Sequence, residues 1–158
     1  MEFFPLPAHP VPAMTAYSPF TPEDSTTSIS QVDDKTKSAL RSVLRTLNGK
    51  MADIEASAVI SGDGLIIASV LENKADPDRF AAMCASLLAL AGSAADEIQR
   101  GRLRLVLVDG EEGAVLLVHA GQNMVLAVAV RKGANLGMIF HESRKTAARI
   151  PAVVGTTG

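Results

Sequence analysis

The chain has 158 residues, 47% of them hydrophobic and 20% charged, with a net charge of −2. These figures fit one domain with a sizeable core and exclude global disorder, a strongly basic nucleic-acid surface and a strongly acidic platform. The single cysteine, Cys84, excludes a disulfide framework within the chain and points to a reducing compartment.

Residues 1–32 stand apart by composition. Prolines at 5, 7, 10, 12, 19 and 22 and the run STTSIS oppose regular helix or sheet. No Lys or Arg precedes Lys35, and Phe3, Phe4, Tyr17 and Phe20 lie here. The segment reads as a disordered, acidic, Pro-rich tail, with a short docking peptide as the sharper alternative. MEFFPLPAHPVPAM has no basic region before its apolar residues, so no signal peptide is expected and the protein is read as cytoplasmic.

The folded domain is expected over 33–150. A first helix is predicted over 33–48, capped by Asp33 or Asp34, with Leu40, Val43, Leu44 and Leu47 on one stripe and Asn48-Gly49 as its stop. Alternation and β-branching over 56–61 and 65–71, around Gly62-Asp63-Gly64, predict a β-hairpin. That turn has no following helix and no Lys or Ser/Thr of the phosphate-binding kind, so it is read as a turn. Asp76 then caps a central helix with Pro77 at its first position.

The central helix contains FAAMCASLLALAGSAA, residues 80–95, without one charge. Phe80, Met83, Cys84, Leu87, Ala91, Ala94 and Ile98 recur at helical spacing. Ala81, Ala82, Ala85, Ser86, Leu88, Ala89 and Ser93 leave no strongly polar face opposite them. Such a helix is either buried on most sides in its own subunit or partly covered by another chain. The uncharged stretch is shorter than the roughly 20 apolar residues that span a bilayer.

After a helix end near 100–101, strands are predicted over 102–109, 113–120 and 124–131, joined by short connectors as in antiparallel hairpins. They are apolar on both faces, which calls for cover on both sides. A last helix runs from an Asn135 cap to about Ile150, with Leu136, Ile139, Phe140, Ser143, Ala147 and Ile150 inward. Residues 151–158 are expected to be flexible. The expected fold is an α+β three-layer α/β/α sandwich, in the order α-β-β-α-β-β-β-α, with a five-stranded antiparallel sheet and the third strand at an edge.

Reactive groups are dispersed. His9, His119 and His141 fall in the tail, a strand and a helix, and no CxxC, HExxH or Asp-rich calcium loop occurs, so neither a metal nor a cofactor is expected. Cys84 has no charged helical neighbour within a turn to activate it, and Ser61, Ser86 and Ser93 lack a nucleophile-elbow context. Arg100, Arg102, Arg104, Arg131 and Lys132 lack interleaved aromatic platforms, which argues against nucleic acid. A non-enzymatic protein that associates with other proteins is the remaining reading. The expected interface is Ala82, Ala85, Ser86, Ala89 and Ser93 on the central helix, with Arg102, Arg104 and Val106 on the third strand. Pairing that strand about a two-fold axis extends the sheet and brings two central helices together.

The hairpin AVISGDGLIIAS, the central FAAMCASLLALAGSAADEIQRG, the strands LRLVLVDGEEGAVLLVHAG and MVLAVAV, and the closing NLGMIFHESRKTAARI together resemble the Roadblock/LC7 family over about residues 36–150. The resemblance implies a profilin-like architecture and a homodimer joined through the third strand and central helix. It also implies a regulator or scaffold of a Ras-like small GTPase that supplies no arginine finger and carries no catalytic residues. The similarity is greatest to prokaryotic members, among them the gliding-motility polarity regulator type. Two alternatives stay open: a structural dimerisation or adaptor module without a GTPase, and a small-ligand sensor of profilin-like or PAS-like fold.

Overall fold

The structure, a computed structural model, describes residues 32–71 and 76–155. The expected tail up to residue 31, the loop at 72–75 and residues 156–158 lie outside the described residues. Helix α1 (Asp34–Lys50) starts where Asp33 accepts a hydrogen bond from the Thr36 amide at 3.0 Å. Hydrogen bonding to Thr36 is the main cause holding the Asp33 carboxyl below its ordinary value, and it satisfies one of the helix's free N–H groups. Leu40, Leu44 and Leu47 form the buried stripe of α1.

Strands β1 (Ile54–Ser61) and β2 (Ile66–Leu71) form the expected hairpin. Ser61 organises its turn: the Leu65 amide donates to Ser61 Oγ at 3.0 Å, and the Ser61 hydroxyl contacts Asp63 Oδ1. Gly64 sits at φ +88°, a left-handed conformation that a side chain rarely adopts. Helix α2 (Pro77–Glu97) begins as anticipated, with Asp76 accepting from the amides of Asp78 and Arg79 and Pro77 in the first turn.

Three further strands, β3 (Leu105–Gly110), β4 (Gly113–His119) and β5 (Met124–Arg131), lead to α3 (Leu136–Gly155). The Met138 amide donates to Asn135 Oδ1 at 3.3 Å, which makes Asn135 the cap. The sheet is antiparallel throughout and its order is β2-β1-β5-β4-β3, so β2 and β3 are its edges among the described residues. Directly paired residues share a face. Leu116 and Val118 of β4 therefore join α1 and α3 in one core cluster, while Leu117 joins α2 in a second. The α+β order and the three layers agree with the sequence expectation.

Several boundaries differ from that expectation. Helix α1 runs through Asn48-Gly49 to Lys50, because Gly49 does not take the positive φ of a helix stop, and β1 opens at Ile54, where it pairs with Val130 of β5. The chain pairs as β3 only from Leu105, opposite Val118, because β4 ends at His119 and then turns into β5. In this register residues 103 and 102 fall opposite 120 and 121, past the end of β4, and have no strand to pair with among the described residues. Helix α2 stops at Glu97 rather than near 100, because Gln99 turns left-handed at φ 55°. The Arg100 amide then bonds Ala95 O at 2.8 Å and the Gln99 amide bonds Asp96 O at 3.0 Å, a Schellman closure with a non-glycine residue at its left-handed position. Helix α3 continues through Pro151 to Gly155, past the expected end at Ile150. Val153 and Val154 pack on the first core cluster, and that burial offsets the hydrogen bond that proline cannot donate.

Candidate protein–protein interface

Helix α2 is 21 residues long, yet it buries only Ala81, Cys84 and Leu88. Near its start this inward stripe is small because the helix approaches the β1–β2 turn closely: a Cβ placed on Gly64 would lie 3.1 Å from the Ala82 Cα. Opposite it the sheet presents the small Ala58 and Ala127 together with the larger Ile60, Leu117 and Val125. Leu88 packs among them, while several other large side chains of α2 point elsewhere. Met83, Leu87, Leu90 and Ile98 are exposed, Leu90 by 71% and Met83 by 56%. Sequence periodicity alone groups Met83, Leu87 and Ile98 with Phe80 and Cys84. The structure divides that group, burying Cys84 on the sheet and leaving Met83, Leu87 and Ile98 exposed.

The apolar exposure continues onto β3. Val106 packs half-buried on the α2 cluster, Leu105 packs on the opposite cluster, and Leu107 and Val108 are exposed. Among the described residues β3 is bonded on one side only, from Leu105↔Val118 to Gly110↔Gly113. Its sequence LVLVDG has no Lys and no Pro to blunt the free edge. The helix flank and the strand edge thus offer an apolar surface and a row of unpaired backbone groups side by side.

The residues expected at the interface divide into two sets. Ala82, Ser86, Ala89 and Ser93 are exposed on α2 and Ala85 is half-buried. Ala85, Ala89 and Ser93 border a groove with Gly62, Gln122 and Asn123 at the turn end of the sheet. The Ser86 and Ser93 hydroxyls donate back to Ala82 O at 2.9 Å and Ala89 O at 3.2 Å, so neither requires a polar partner. Arg102 and Arg104 are exposed but precede β3 instead of lying on it, a correction to the sequence reading. They face another groove with His119 and Arg144. Sequence reasoning missed Leu90, Leu107 and Val108 as interface candidates. The signal available for them was an uncharged helix followed by an unguarded LVLV strand.

The arrangement offers little chemistry of its own. Among the described residues no group of three His, Cys, Asp or Glu side chains is placed to hold a metal ion. Burial pushes the Cys84 thiol up to about 11, which keeps it protonated and unreactive near neutral pH. His119 is held below its ordinary value, first by burial and then by the charge of Arg102. By length and composition alone α2 is apolar enough to cross a bilayer. Its Ala81, Cys84 and Leu88 stripe is instead packed on the sheet.

Comparison with known proteins agrees with this geometry. The family model of the Roadblock/LC7 domain matches residues 43–129. The uncharacterised protein MJ1340 of Methanocaldococcus jannaschii is 35% identical over 111 residues, covering 70% of this chain and 96% of that relative. The structure of Myxococcus xanthus MglB superposes with a TM-score of 0.70 at 18% identity, over 78% of this chain and 92% of that one. The gliding protein mglB from Thermus thermophilus does so with a TM-score of 0.68 at 16% identity, over 77% and 93%.

Proposed function

Because this chain belongs to the Roadblock/LC7 domain family, we propose that it is a non-enzymatic homodimeric regulator or scaffold of a Ras-like small GTPase, acting in the cytoplasm. The observation that carries the proposal is the uncovered apolar surface that α2 and the free edge of β3 present together. A two-fold axis beside β3 pairs the two edges into one ten-stranded sheet (twice five strands) and sets the two α2 helices next to each other. An interface of roughly 800 Å² per subunit is enough for a stable dimer. The buried, free Cys84 fits a reducing compartment.

In this reading the dimer acts through binding rather than through a nucleophile, metal or general base of its own. Its effect on a GTPase comes from binding one switch conformation better than another, and the shift it produces cannot exceed that difference in affinity. The part of the paired α2 helices that the second copy leaves uncovered is the face on which a GTPase would seat. GTP turnover by the cognate GTPase, followed with and without this protein alongside their binding, tests the proposal. A change in turnover together with saturable binding is expected. Neither binding nor altered turnover would end the GTPase reading, and binding without altered turnover would leave the scaffold alone.

A further inference from the structure

A second groove opens where the chain enters β3, on the α3 side of the sheet end, and shares His119 and Gln122 with the groove beside α2. Residues 102–104, the end of β4, the turn at 121–122 and the C-terminal half of α3 enclose an open groove of about 510 Å³. Its rim carries Arg102, Arg104 and Arg144 together with His119, its floor is apolar at Leu103 and Val118, and no carboxylate lines it among the described residues. Three guanidiniums around an apolar floor suit a ligand with carboxylates beside a large apolar side chain.

The chain carries such a segment, and the topology delivers it to this end of the molecule. Pairing of Ser61 with Met124, His119 with Val125 and Leu105 with Val118 puts the β1 end, the β4 end and the β3 start at one end of the sheet. Helix α1 leads into β1 from the opposite end, where Lys50 lies 3.7 Å from Glu142 of α3. Its 17 residues span about 25 Å, so its N-terminus returns to the end that holds the groove. The described chain therefore starts, at Val32, near the C-terminal half of α3, and Val32 packs on the same core cluster as Val153 and Val154.

The residues before it have no Lys or Arg and include PFTPEDS, in which Phe20 precedes Glu23 and Asp24. Asp24 is eight residues from Val32, a reach of about 26 Å when extended. Pro19 and Pro22 favour an extended backbone and lower the entropy lost on docking. We infer that residues 19–25 of this chain dock in the arginine groove of their own subunit, with Phe20 on the Leu103–Val118 floor and Glu23 and Asp24 on Arg102, Arg104 and Arg144.

Paramagnetic broadening tests this on the full-length protein with a spin label at Ser25→Cys. Cys84, 2% exposed and with its thiol pushed up to about 11, is spared by the label. At low salt the amide signals of His119, Gln122 and Ala148 should fall to about half or less, and they should recover at about 1 M salt. Glu23→Lys with Asp24→Lys should abolish the broadening, as should Arg102→Glu with Arg144→Glu. Combining the four changes should restore it. A mixture of labelled chain with unlabelled, isotope-enriched chain should show none. No broadening at low salt, broadening on α2 instead, indifference to the charge reversals, or equal broadening in the mixture would each overturn the inference.

Discussion

Leu40, Leu44 and Leu47 of α1 and Ile139 and Ile150 of α3 close one face of the sheet with large, fully buried side chains. On the other face a single helix buries only Ala81, Cys84 and Leu88, while Met83, Leu87 and Leu90 remain in solvent. The two faces belong to one sheet and are comparably apolar in sequence, yet one is a finished core and the other half of one. Stability of the subunit therefore resides mainly in the α1/α3 face, and association resides in the α2 face.

Substitutions on the two faces should separate these roles. Leu44→Ala, on the closed face, should cost about 2–5 kcal/mol in urea unfolding, because it leaves a cavity in a region with no freedom to collapse. A loss under about 1 kcal/mol would mean the closed face is not the stability core. Gly64→Ala strains a left-handed residue and crowds the Ala82 backbone, so about 1–3 kcal/mol should be lost in the same assay, with α2 displaced from the sheet. Leu90→Asp should leave subunit stability within about 0.5 kcal/mol and weaken the dimer at least about tenfold in sedimentation. The reverse pattern would make Leu90 a core residue and erase the distinction between faces.

The smallest effect expected is on pH dependence. His119 lies below its ordinary 6.5 in the folded chain, so between that value and the folded one the unfolded chain binds the extra proton. Its contribution is complete above pH 6.5 and is lost as pH falls toward the folded value. Thermal melts of His119→Gln should accordingly show a shallower decline on acidification than the wild type. An unchanged slope would remove His119 as its source.

Much of the closed face is legible in the sequence, because its signals are local. Leu40, Leu44 and Leu47 show the helical period, and Asp33 and Asn135 mark the starts of α1 and α3. Gly62-Asp63-Gly64 marks the hairpin. The open face is harder to read. Its helix carries apolar residues at one period, and which of them meet the sheet depends on contacts between different elements. The β3 start depends on where β4 runs out, and the α3 end depends on Val153 and Val154 finding a core beyond Pro151. Each of these is a tertiary override of a local preference. The placement of Arg102 and Arg104 with Arg144 requires the fold as well, since forty residues separate Arg104 from Arg144 in sequence.

The central claim is that the α2 face and the β3 edge are covered by a second copy. Sedimentation equilibrium of the wild type at micromolar concentration tests it most directly. A species of twice 16.5 kDa, shifted toward one of 16.5 kDa by Leu90→Asp, is the predicted result. A wild type that stays at 16.5 kDa across the micromolar range would contradict it.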